Sequence, residues 1–259
     1  MSAPVFLASP GSLDDVAPGG VYVLEGAEAR HAGVVQRRSA GERVDVVDCA
    51  GVRLECSVAA VGGEGVRLDV LDVVREPASD VRLVLVQALA KGDRDEMAIE
   101  AATEVGVDAV LPWQAERSVV VWRGDRAAKS RARWLGTVRA AAKQSRRARV
   151  PDVGLAVDGR GLAARVEEVV AAGGVALVLH EEASAPIADV RLPQPAAPDA
   201  PAPEVLVVVG PEGGISAREL EALLAAGASA VRLGPHVLRT STAGPVALAM
   251  LAQRLGRWG

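Results

Sequence analysis

Two stretches near the end of the chain carry residue types that a small-ligand site needs: VVVGPEGGIS (207–216) and LGPHVLRTSTAGPVAL (233–248). Each opens as an apolar run and breaks at a Gly-Pro pair. In α/β sheets, ligands bind beyond the carboxyl ends of the strands. Gly210 and Pro211 end the run VLVVV, and Gly213 and Gly214 then remove side chains and permit positive φ, so backbone amides can approach a ligand closely. Ser216 is placed to cap the next helix, with Glu219 completing a capping box. In the second stretch Gly234 and Pro235 end AVRL, the loop HVLRTSTAG follows, and a helix is expected to start near Pro245. Two glycine-lined loops at neighbouring strand ends suit a nucleoside-like ligand; the plainer reading is two tight turns. Neither stretch fits GxGxxG before a helix or GxxxxGK[ST], which speaks against Rossmann and P-loop sites.

The elements that must position these loops fall into two groups. From Val81 onward, near-continuous Val/Leu runs (RLVLVQAL, DAVLP, VALVLH, VLVVVG, AVRLG) alternate with helical segments, which predicts an α/β region with a parallel sheet covered on both faces. In the first of those helical segments Asp93 is a candidate cap and Gly106 a terminator. Residues 1 to about 75 instead hold short β-type runs separated by Gly turns, which predicts a small β-barrel or sandwich. EARHAGVVQRRSAG interrupts them as an expected short helix, with His31, Arg37 and Arg38 near its exposed side. REPASD (75–80) reads as the boundary, and QPAAPDAPAPE (194–204) as an exposed loop.

Composition narrows the classes. The 259 residues are half hydrophobic, enough for one large domain or two small ones. No apolar run reaches the roughly 18 residues of a membrane span, and the N-terminus lacks the basic and apolar regions of a signal peptide. Cys49 and Cys56 show no metal-ligand spacing and read as reduced thiols of a cytoplasmic protein, the alternative being a hairpin disulfide. The formal net charge is −4, yet residues 117–149 hold eleven Lys or Arg against the single acid Asp125. A basic block in an acidic chain suggests one polyanion-binding face, the alternative being a solvated helix face.

VGPEGGIS followed by LGPHVLRTSTAGPVAL resembles the signature of the SPOUT methyltransferases, nearest to the family that methylates N3 of a uridine in 16S ribosomal RNA. KGDRDEMAIEAATEVGVDAVLPWQAERSVV resembles that family's first C-domain segment, through Lys91, Glu104, Gly106, Pro112, Arg117 and Ser118. AAKQSRRARVPDV resembles its Gln-Ser-x-Arg-x-x-x-Pro stretch, through Gln144, Ser145, Arg147 and Pro151. The N-terminal β-region resembles its PUA-like RNA-binding domain more loosely. Four positions depart from the family pattern: Arg146, His236, Ser241 and Gly244.

The resemblance implies a PUA-like β-barrel over residues 1–75 and a SPOUT-type α/β domain with a trefoil knot over 80–259. It implies S-adenosylmethionine as cofactor, held by Leu179, His180, Glu181, Gly210, Pro211, Gly213, Gly214, Leu233, Gly234, Leu238 and Thr242. It further implies 16S rRNA or the 30S subunit as partner and a homodimer formed through the C-terminal domain; the spacing of the three histidines and the short apolar runs separately lead us to expect no metal and no membrane.

Methylation at uridine N3 requires the imide proton to leave, and N3 lies on the Watson–Crick edge, so the base must be unpaired or flipped out. A guanidinium at the O2 or O4 edge would stabilise the developing anion. Arg239 is the first candidate, with phosphate anchoring or an ion pair as its alternatives. Glu212 is the nearest acid in a ligand loop and could equally orient the loop. Arg37, Arg38, Arg117, Lys143, Arg146, Arg147 and Arg149 are candidates for holding RNA phosphates. Trp113, Trp122 and Trp134 are candidates for stacking on bases or for the core. Two other readings stay open: a SPOUT ribose 2′-O-methyltransferase acting on tRNA or rRNA, and a noncatalytic RNA-binding assembly factor.

Overall fold

The computed structural model describes residues 3–63, 65–197 and 200–258. It divides into two compact units, one of Met1–Ala78 with Ala142–Val150, the other of Ser79–Ala141 with Pro151–Gly259.

The first unit is built on a five-stranded sheet. Its strands are β1 (Val5–Leu7), β2 (Val21–Leu24), β3 (Arg43–Val47), β4 (Val52–Gly62) and β5 (Gly65–Arg75), in the order β1-β3-β4-β5-β2. Alternation sets its faces: Val52, Leu54, Cys56 and Val58 of β4 and Val66, Leu68 and Val70 of β5 point into the core. The expected helix between β2 and β3 forms only as α1 (Gly26–Arg30) and a π-helical turn at His31–Val35; Arg37 and Arg38 lie beyond it, and His31 is half-buried rather than on an exposed side. Cys49 and Cys56 form no disulfide with each other, and burial first, then nearby Asp45, pushes the Cys56 thiol up to about 12.

The segment Ala142–Val150 is tied into this unit by polar contacts. Lys143 Nζ lies 2.7 Å from Glu28 Oε2, 2.9 Å from His31 Nδ1 and 5.1 Å from the centre of the Phe6 ring. Arg53 ion-pairs with Asp45 and Glu76 and donates to the carbonyl of Arg146 at 2.8 Å. Arg149 donates to the carbonyls of Glu76 and Pro77.

The second unit is the expected parallel α/β layer. In chain order it contains β6 (Arg82–Ala88), α2 (Arg94–Glu104), β7 (Ala109–Gln114), α3 (Asp125–Gln144, whose last three residues belong to the first unit), β8 (Asp152–Val153) and β9 (Val157–Asp158). Then come α4 (Gly159–Ala171), β10 (Val175–Leu179), β11 (Glu204–Val209), α5 (Ala217–Ala225), β12 (Ser229–Val231) and α6 (Thr240–Arg254). The sheet order is β12-β10-β11-β6-β7-β8, with β9 also pairing β7, and every pairing is parallel. Val84, Val86 and Ala88 of β6 share a core with Leu162 and Val166 of α4 and Leu223 of α5. By the two-residue period, Leu83, Leu85 and Gln87 face the other way, toward α6. There a Cβ on Gly244 would stand 2.7 Å from Leu85 Cδ1, so the absence of a side chain lets α6 approach the sheet closely. The residues from Gln194 to the start of β11 at Glu204 carry no helix or strand among those described, and Pro198 and Asp199 lie outside the described residues.

Several local expectations need correction. Asp93 sits at the cap position of α2 with left-handed backbone (φ 59°), and its side chain makes no capping bond. Asp95 is buried in the first turn instead and accepts from the Glu96 N–H at 3.0 Å. Helix α6 starts at Thr240, with Pro245 inside it, because the Arg239 carbonyl accepts from the N–H groups of Thr242 and Ala243 and so opens the helix earlier. On α6, Ala247 and Leu251 are buried, whereas Val246 is exposed and Met250 and Leu255 are half-buried. Trp113 and Trp134 are 0 % exposed and Trp122 is 9 %. Trp122 and Trp134 pack edge to face at 5.2 Å. Rings so enclosed pack the core, and the base-stacking role is withdrawn for all three.

Candidate active site

Three parallel strands, β12, β10 and β11, lie side by side and end at the same edge of the sheet. The loops that follow them enclose a cavity of about 850 Å³, within the range of ligand sites. Leu179, His180 and Glu181 line it after β10, and Gly210, Pro211, Glu212, Gly213 and Gly214 after β11. Leu233, Gly234, His236, Leu238 and Arg239 line it after β12. Ten of the eleven residues expected at a cofactor site are thus in one wall. Thr242 is not in the lining; Thr240 occupies that place as the first residue of α6.

The first loop is held from several sides. The capping box forms as expected: Ser216 Oγ accepts from Glu219 N–H at 3.2 Å, and the Glu219 carboxylate accepts from Ser216 N–H at 3.2 Å. Glu219 is also buried against the segment after β7, where its other oxygen accepts from Glu116 N–H at 2.8 Å. Arg117 donates to the Gly213 carbonyl at 3.0 Å. Gly214 closes the turn at φ 74°, its N–H donating to the Pro211 carbonyl at 2.9 Å. The glycines therefore work as backbone: a Cβ on Gly210 would stand 2.7 Å from Ile215 Cγ1, whereas one on Gly234 would meet nothing within 4 Å.

The loops after β10 and β12 are laced together. His180 N–H donates to the Val231 carbonyl at 3.0 Å, and Arg232 N–H donates to the Ala185 carbonyl at 2.8 Å.

The charged groups divide into engaged and available ones. Glu212 pairs with Arg94 at 2.8 Å. Burial opposes its ionisation, but its own N–H, the Lys91 N–H and the Arg94 guanidinium together hold its carboxyl below the usual carboxylate range. A carboxylate so held orients the loop and is a weak proton acceptor. Arg239 is exposed at the cavity, and among the described residues no hydrogen bond or ion pair engages its guanidinium. That leaves it able to meet a substrate anion.

Among the residues singled out for phosphate, Arg37 and Arg146 are exposed. Arg38 donates to Gln36 Oε1 at 3.2 Å, Arg117 holds Gly213, and Lys143 and Arg149 are spent on the internal contacts described above. Arg147 is half-buried. Within the basic run, Arg131 donates to the carbonyls of Val153 and Gly154, and Arg133 pairs with Glu96. Sequence reasoning missed Arg94, Arg232, Ile215 and Thr240 in the lining, and Gln87 behind it. The polar Gln87 in the buried run RLVLVQA was the one available signal.

The family description of an RNA methyltransferase domain matches residues 77–252. The chain belongs to the RNA methyltransferase family. This RNA methyltransferase is 47% identical over 240 residues to ribosomal RNA small subunit methyltransferase E of Mycobacterium bovis, covering 93% of this chain and 89% of the relative. To the Bacillus subtilis protein of the same name it is 30% identical over 233 residues, covering 89% of each. A crystal structure of ribosomal RNA small subunit methyltransferase E from Neisseria gonorrhoeae, bound to S-adenosyl methionine, superposes with a TM-score of 0.81 at 26% identity, over 98% of each chain. No group of three or more His, Cys, Asp or Glu among the described residues could hold a metal ion, and no helix among them is long and apolar enough to cross a membrane.

Proposed function

We propose that this protein methylates N3 of a uridine, position 1498, in 16S ribosomal RNA of the small subunit, using S-adenosylmethionine. The observation that carries this reading is the exposed guanidinium of Arg239, without a partner among the described residues, at a glycine-walled cavity beyond β10, β11 and β12.

The cavity fits the cofactor on its own chemistry. Leu179, Leu233, Leu238 and Ile215 offer apolar surface for an adenine, and the backbone around Gly210 and Gly234 offers donors and acceptors without side chains in the way. Glu181 and Glu182 offer negative charge to a cationic ligand. When bound, S-adenosylmethionine supplies an electrophilic methyl group. The chain's part is to hold the uridine so that negative charge developing on N3, O2 and O4 meets Arg239 as the imide proton passes to solvent water or hydroxide. Glu212, already ionised and paired, steadies the first loop.

The finer organisation belongs to the same reading. The first unit acts as a PUA-like RNA-binding domain, with 1–75 as its sequence core, and 80–259 forms a knotted SPOUT domain. The protein works in the cytoplasm as a homodimer paired through its C-terminal domain. Exposed Arg37 and Arg146 contact rRNA phosphates. The deciding experiment is mass spectrometry of nucleosides from 30S particles, and separately from free 16S RNA, after incubation with protein and cofactor. 3-Methyluridine is expected; a 2′-O-methylated nucleoside, or no product, would overturn the reading.

A further inference from the structure

Gln87 interrupts the buried apolar run of β6 and is 0 % exposed. Its Nε2 donates to Thr240 Oγ1 at 2.9 Å and to the Ala88 carbonyl at 3.2 Å. The Thr240 hydroxyl has one proton, and it donates that to the Gly210 carbonyl at 2.8 Å. The amide orientation follows from these partners. A reversed amide would set its oxygen against the Ala88 carbonyl and against a hydroxyl whose proton is committed elsewhere. The line of donors therefore runs one way, from the end of β6 through the first residue of α6 to the first residue after β11. Thr240 and Gly210 line the cavity; Gln87 stands behind them.

The arrangement carries a cost. Gln87 Oε1 is buried with no hydrogen-bond partner among the described residues. An unpaired buried acceptor opposes folding, and a Leu in its place would fill the strand without that penalty. The donor end is what distinguishes Gln87 from such a Leu.

We infer that Gln87 is a positioning residue for methyl transfer. Through Thr240 it fixes the Gly210 carbonyl in the first ligand loop and the start of α6, from which Arg239 projects. One buried amide thus sets both loops together while touching neither ligand. The inference rests on reading the cavity as the S-adenosylmethionine site.

Calorimetry with S-adenosylmethionine tests it. Gln87→Leu and Thr240→Val are each expected to bind about tenfold more weakly than wild type, the scale of a lost buried hydrogen bond. Thr240→Ser, which keeps the hydroxyl, should stay within about threefold of wild type. The double variant should lose little more than Thr240→Val alone, because both changes cut one line. Gln87→Glu adds a pH signature: protonated, the new side chain still donates to Thr240, and ionised it can only accept, drawing the hydroxyl away from Gly210. Its affinity relative to wild type should fall as pH rises from about 5.5 to 8.5, burial holding the carboxyl above its ordinary range. Equal affinities for Thr240→Val and Thr240→Ser, or fully additive losses in the double variant, would overturn the inference. If Thr240→Val does not fold, a pH-independent ratio for Gln87→Glu does so. No binding by the wild type would instead overturn the reading of the cavity. Amide exchange at residues 210–216 of ligand-free Gln87→Leu would still judge the tether, faster exchange supporting it and unchanged exchange refuting it.

Discussion

Arg94 Nη1 lies 2.8 Å from Glu212 Oε1, and this pair joins the start of α2 to the first ligand loop. Because the Glu212 carboxyl is held below its ordinary range, its contribution to stability is fully present above the unfolded carboxylate range and is lost as pH falls through the folded value. Glu212→Gln should therefore be less stable than wild type at neutral pH, by at most about 1 kcal/mol for so exposed a pair. The gap should close in acid, as thermal melts across pH would register. The variant's rate-against-pH curve should keep the wild-type shape. A lost limb would make Glu212 the base after all.

Arg239→Ala should slow single-turnover methyl transfer by roughly 10² at saturating RNA, with cofactor affinity little changed. Arg239→Lys should recover only part of the rate, since a point charge lacks the planar fork. A near-normal rate in Arg239→Ala once RNA is saturating would move this residue from catalysis to binding.

Gly234 and Gly210 separate ligand exclusion from folding. A side chain at Gly234 meets no protein atom within 4 Å, so Gly234→Val should fold normally and yet bind S-adenosylmethionine at least about tenfold more weakly. Gly210→Ala drives a Cβ to 2.7 Å from Ile215 and should lower the melting temperature as well. Full affinity in a folded Gly234→Val would place the cofactor elsewhere.

The basic residues of the first unit should divide in the same way. Replacing exposed Arg37 and Arg146 together should reduce the salt slope of RNA binding by about 2 with little loss of stability. Lys143→Ala removes the cation paired with Glu28 and should destabilise the protein by about 1–3 kcal/mol. An unchanged slope in the first variant would place the RNA face elsewhere.

Light scattering should give a mass twice that of the chain. Exposed Val246 and half-buried Met250, one helical turn apart on α6, are the positions to probe, and Val246→Glu should shift the mass toward the monomer. An active wild-type monomer would contradict the dimer.

The strands and glycine loops were legible because a parallel buried strand must be apolar throughout and a close backbone approach excludes side chains. The capping box at Ser216 and Glu219 was legible for a similarly local reason: its partners are three residues apart. What escaped notice was set by distant partners. Thr240 rather than Thr242 faces the cavity, and the side chain that bonds to it, Gln87, is far away in sequence. Lys143 and Arg149 read as free cations until Glu28 and the carbonyls of Glu76 and Pro77 are brought to them. The tryptophans misled because the charges around them in sequence do not surround them in space.

The chain passes between its two compact units three times, after residues 78, 141 and 150. Neither unit is therefore a continuous stretch of gene. A fragment ending at 78 would leave Glu28 without Lys143 and the carbonyls of Glu76 and Pro77 without Arg149. A fragment beginning at 79 would carry those two cations with nothing to receive them. No single crossover separates the two units cleanly: one after residue 78 leaves Ala142–Val150 attached to the second unit, and one after residue 150 carries Ser79–Ala141 along with the first.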